Sequence, residues 1–82
     1  DLTLEARWLI DGTHYQRTAN HWLANHDTNR AAVAAVLARA YGTDGAALWS
    51  QRWRTFWMAC AETFGYANGQ EWLVAHYRFV RP

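Results

Sequence analysis

The sequence predicts an α+β fold in which three helices are inserted between two antiparallel strands. Apolar residues alternate with a period of two near both ends of the chain. Between these ends, helical periodicity is interrupted only at short glycine- and Asn/Asp-containing breaks. The last helical run carries Trp49, Trp53, Phe56, Trp57, Cys60 and Phe64 at steps of three and four, so one face of one helix holds nearly all its large apolar groups.

Leu2, Leu4, Ala6 and Trp8 alternate with Thr3, Glu5 and Arg7, as in a half-buried strand. Asp11-Gly12 marks a turn, and Thr13 with Gln16 has the form of a capping box, which starts the first helix near His14. Tyr15, Thr18, Ala19 and Trp22 share one face of that helix, and His14, Arg17 and His21 a neighbouring one. Residues 25–29 read as a polar link, with Asp27 and Thr28 able to cap the next helix. Residues 30–41 are strongly helix-favouring and end at Gly42.

Thr43-Asp44-Gly45 leads into the tryptophan helix over residues 47–66, where Gly65 is expected in a left-handed cap. Asn68-Gly69 is a turn signal, and residues 71–80 resume the period of two with apolar groups on both faces. That strand is expected to be buried on both sides, with the opening strand as its antiparallel neighbour. The whole of residues 1–82 reads as one segment, with no repeat and no internal linker.

Composition narrows the function classes. A chain of 82 residues that is 51% hydrophobic, with six tryptophans and only 18% charged residues, has more aromatic surface than so small a domain readily covers. The uncovered remainder calls for a partner, a ligand groove or a further domain. The net charge is +1 and all eight basic residues are scattered arginines, so no nucleic acid partner is expected. The single cysteine, Cys60, rules out an intrachain disulfide and fits a reducing, cytoplasmic setting. His21 and His26 are five apart, off the spacing that puts two metal ligands on one helix face, and no metal site is expected.

Two separated stretches carry a resemblance. GTHYQRTANHWL, with His14, Tyr15, Thr18 and Trp22, and RWRTFWMACAETFGY, with Cys60, Ala61, Glu62 and Phe64, resemble the C-terminal part of cyclopropane fatty acid synthases and related S-adenosylmethionine-dependent methyltransferases. The resemblance implies the C-terminal part of a class I, Rossmann-like methyltransferase, with helices between two edge strands roofing the substrate pocket. It implies that the S-adenosylmethionine-binding half, with its glycine-rich loop, lies upstream and is the main partner of this segment. The acceptor it implies is an unsaturated acyl chain of a phospholipid, met in the cytoplasm or peripherally at the inner membrane face. Bicarbonate is the second cofactor, and some members of the group methylate small amines instead.

By the same resemblance Tyr15 contributes its hydroxyl to the bicarbonate site, and Ala19 and Cys60 contact the acyl substrate. Read from spacing alone, Tyr15 is a half-buried tyrosine with a backbone partner, and Cys60 a small hydrophobe on the apolar stripe. Phe56 and Phe64 read as core, and Glu62 as one half of a surface ion pair. The alternative from another class is a free-standing α+β module that binds a lipid or a protein through its uncovered tryptophans, without catalysis.

Overall fold

A computed structural model describes residues 1–82. Strand β1 (Thr3–Asp11) leads into helix α1 (Gly12–Thr28), followed by α2 (Arg30–Tyr41), a short 3-10 turn (Thr43–Gly45), α3 (Ala46–Gly65), a second 3-10 turn (Tyr66–Gly69) and strand β2 (Leu73–Val80). The two strands pair antiparallel, with Trp8 opposite His76 and Ile10 opposite Val74. The predicted α+β order of three helices between paired strands is therefore the observed one.

Local chemistry differs from the expected details at several points. No turn separates β1 from α1. Asp11 is the N-cap, in extended conformation, and its carboxylate accepts hydrogen bonds from the Thr13 backbone N–H, at 2.9 Å, and from the Thr13 hydroxyl. The cap thus lies two residues before the expected one. These bonds hold the Asp11 carboxyl below its ordinary value. A carboxyl depressed on folding stabilises above its unfolded value near pH 4 and loses that contribution as pH falls through its folded value. Asp11→Ala should therefore lower the melting temperature at neutral pH, with Asp11→Asn, which keeps an acceptor, losing less. The gap between wild type and Asp11→Ala should close on acidification, as thermal unfolding at stepped pH would show.

The residues expected to be a polar link continue α1 as far as Thr28, and only Asn29 separates α1 from α2. Gly65 is right-handed, with φ −79°. The left-handed residues are Ala67, Asn68 and Gly69, at φ 54°, 56° and 77°. Glu5 is an extra residue in β1, a bulge between Leu4 and Ala6. It moves Leu4 to the face carrying Tyr77 and Phe79, out of the alternation that grouped it with Ala6 and Trp8.

α1 and α3 pack against each other along their lengths and define the main contact among the helices. Ala19 and Ala61 are buried small residues on these two helices, which lets them approach closely. Arg54 on α3 grips Asp27 on α1 through two hydrogen bonds of 2.7 and 3.0 Å. The pairing lowers the Asp27 carboxyl and raises the Arg54 guanidinium from their ordinary values. Glu62 joins no ion pair; the others are Asp11 with His14 and Glu5 with Arg78.

The result is a slab of 51 × 34 × 17 Å. Its radius of gyration of 17.2 Å exceeds the roughly 12 Å of a compact chain of this length. Its 6244 Å² of accessible surface exceeds the roughly 5,000 Å² expected for its mass. Only six residues are buried, and none of the six is aromatic. β2 was expected to be covered on both sides, yet Leu73, Tyr77 and Phe79 are about half exposed. The reason is architectural: the sheet has two strands, and α1 reaches it only near Ile10 and Val74. No helix is long and apolar enough to cross a membrane.

Candidate functional site

Tyr15 stands at the junction of two clefts. The first, of about 300 Å³, lies between α1 and the ribbon and is lined by Ile10, His14, Tyr15, Thr18, Val74 and His76. The second, of about 480 Å³, runs along the helices past Trp22, Asn25, His26, Val33, Phe56 and Trp57. It continues into an apolar groove of about 520 Å³ between α2 and α3, bounded by Val36, Leu37, Tyr41 and Trp53. His26, Val33 and Trp57 border both, so the helical face presents one continuous aromatic trough.

The first turn of α1 aims Tyr15. Its ring meets Phe64 edge-on at 4.6 Å and Trp22 at 5.8 Å. Trp57 then touches Trp22 at 5.3 Å, Trp53 at 5.2 Å and Phe56 at 5.4 Å. Such edge and tilted contacts are favourable beyond the area they bury and hold each ring at a set angle. Burial pushes the Tyr15 hydroxyl above its ordinary value, and the nearby Cys60 thiol pushes the same way. Tyr15 therefore remains a phenol throughout the neutral range, able to donate one hydrogen bond and accept others.

The three residues singled out in the sequence fall close together but not in one environment. Tyr15 and Cys60 meet across the α1–α3 contact. Ala19, one turn beyond Tyr15, is fully buried and lines neither cleft. It acts here as a packing residue, because the α1–α3 approach closes over a methyl group. Phe56, expected in the core, is half exposed and forms part of the trough wall. Phe64 is partly buried against Tyr15, closer to its expected place.

Sequence reasoning missed His26, considered only as a metal ligand. It is the one buried ionisable side chain, with Nε2 2.9 Å from the Ser50 hydroxyl and Nδ1 accepting from the Trp57 indole N–H at 3.4 Å. Its signal was its place in the stripe of Tyr15, Ala19 and Trp22, at steps of four, three and four along α1.

Two glycines mark close approaches of the backbone. Gly12, the only glycine at a strand-to-helix junction, is filled from outside: a Cβ there would collide with the carbonyl oxygens of Phe64 and Trp72. A Cβ on Gly65 would run into the Gln16 side chain. These two glycines serve close packing.

Strand pair, inserted helices and aromatic trough together define the C-terminal fragment of a methyltransferase fold. One crystal structure it matches is that of coclaurine N-methyltransferase bound to N-methylheliamine and SAH, with a TM-score of 0.81 and 31% identity, over 96% of this chain and 24% of that one. In sequence the chain is 35% identical over 82 residues to (S)-coclaurine N-methyltransferase of Papaver somniferum, and 31% identical to N-methyltransferase 4 of the same plant. Each match covers 99% of this chain and 23% of the relative, so the chain spans about a quarter of the length of these proteins. No protein-family model matches it. The expected methyltransferase resemblance holds at this level; the relatives are plant N-methyltransferases, whereas the sequence motifs had suggested the cyclopropane synthase branch.

Proposed function

We propose that this chain is the acceptor-side roof of an S-adenosylmethionine-dependent methyltransferase that methylates the nitrogen of a small amine. The observation that carries this reading is the structural match to an N-methyltransferase crystallised with a methylated amine and SAH, combined with an aromatic trough in the matching segment. As nitrogen takes up a methyl group it gains positive charge, which the faces of Trp22, Phe56 and Trp57 can stabilise. The same rings exclude water from the reacting centre. Tyr15, held as a phenol, supplies a hydrogen bond at the trough's end.

The chain spans about a quarter of its relatives' length, and on this reading the donor site belongs to another part of the enzyme. That part is also the natural cover for the exposed ribbon and trough. The scarcity of buried residues favours such a covered segment over a free-standing interaction module.

Acyl-chain methylation with bicarbonate is the second reading. One observation favours it: the motif residues Tyr15 and Cys60, far apart in sequence, are neighbours in space, and Tyr15 lines the aromatic cleft. The two readings separate in one assay. The enzyme containing this segment, given methyl-labelled S-adenosylmethionine, should label a secondary or tertiary aryl-alkyl amine and leave vesicles of cis-unsaturated phosphatidylethanolamine unlabelled. Label in the vesicles alone, lost on bicarbonate depletion, would overturn the amine reading in favour of the acyl one.

A further inference from the structure

We propose that His26 is a positioning residue: it fixes the Trp57 indole in the wall of the trough and thereby governs how the methyl acceptor is seated. The proposal rests on the reading of the trough as the acceptor site. Trp57 is the ring on which the wall converges, in contact with Trp22, Trp53 and Phe56. Three ring contacts hold the Trp57 indole in place, and a hydrogen bond from its N–H adds a direction that apolar packing does not supply. His26 Nδ1, 3.4 Å from the indole nitrogen, is the acceptor of that bond.

His26 is itself held from the other side. Because Nδ1 accepts from Trp57, the ring proton lies on Nε2 and is donated to the Ser50 hydroxyl 2.9 Å away. Both nitrogens are engaged, leaving neither free to take a proton from an acceptor amine, so His26 positions and does not act as a base. Its neighbour Asp27 is occupied by Arg54. The chain Ser50, His26, Trp57 therefore links α3 to α1 and back to α3, through the only buried ionisable side chain.

The test uses the enzyme containing this segment, labelled with fluorotryptophan, with the Trp57 resonance assigned by its loss in Trp57→Phe. His26→Leu keeps the volume and removes the acceptor. It should shift or broaden the Trp57 resonance and raise the acceptor KM roughly threefold to tenfold, the range of one hydrogen bond, with donor KM unchanged. His26→Asn, whose carbonyl oxygen can occupy the place of Nδ1, should restore the resonance and most of the KM. In a Trp57→Phe background, His26→Leu should no longer change acceptor KM. An unshifted Trp57 resonance with unchanged acceptor KM in a folded His26→Leu enzyme would overturn the proposal, as would equal loss in the Leu and Asn variants. If the resonance responds as expected while the wild type methylates no amine, positioning by His26 stands and the amine reading fails.

Discussion

Replacing Gly12 by alanine is expected to cost roughly 3 kcal/mol of stability or more. The new Cβ would overlap the carbonyl oxygens of Phe64 and Trp72, which belong to the backbone at the end of α3 and the approach to β2. A side chain could swing away; a carbonyl already oriented by its own helix or turn cannot. Relief requires α1 to withdraw from both elements, which also opens the contact between Tyr15 and Phe64. Gly45→Ala is the matched control, since its Cβ would stand 3.4 Å from the Tyr41 Cβ with φ −89°, and a change within about 1 kcal/mol is expected. Denaturant unfolding of the two variants decides it: equal midpoints would show that the junction can relax.

Tyr15→Phe should lower the turnover of the assembled enzyme by roughly tenfold to a hundredfold, the size of one hydrogen bond to a group that is charged in the transition state, while leaving donor KM within about twofold. The ring and its edge contacts with Phe64 and Trp22 would survive, so folding should not suffer. The hydroxyl is partly desolvated near Cys60, and its loss removes a polar group from a residue that lines two clefts. If turnover is unchanged with the acceptor saturating, Tyr15 is a packing residue only. If the loss disappears when bicarbonate is withheld from both proteins, the hydroxyl serves an anion and the acyl reading gains.

The order of elements was legible because each has its own strong local signal. The run over residues 30–41 matches α2, bounded by Asn29 and Gly42. The aromatic stripe marks α3 because a helix repeats its face at steps of three and four. The cap of α1 was misplaced because Thr13 fits a capping pattern, while Asp11 reaches the same N–H from two residues earlier. Periodicity could not show the bulge at Glu5, since an extra residue leaves the alternation on either side intact. Burial was misjudged for β2 and Phe56 for one shared reason: an apolar pattern records what a surface needs, while its cover depends on what is packed against it. Of the site, the motif residues Tyr15 and Cys60 were found, and His26 was not. Its role depends on Ser50 and Trp57, which lie 24 and 31 residues away.

The pairing of Thr3 with Val80 also dictates an order of assembly. The ribbon joins strands separated by all three helices, so its formation bears the loop-closure entropy of the intervening chain unless that chain is already condensed. Helices form within microseconds from local contacts, and docking α1 on α3 shortens the distance the strands must search. In refolding, helical ellipticity should therefore return before protection of the β1 and β2 amides. A variant that loosens the α1–α3 contact would slow the ribbon's closure without touching a strand residue, leaving for longer an unpaired, apolar β2 with both edges free to meet another chain.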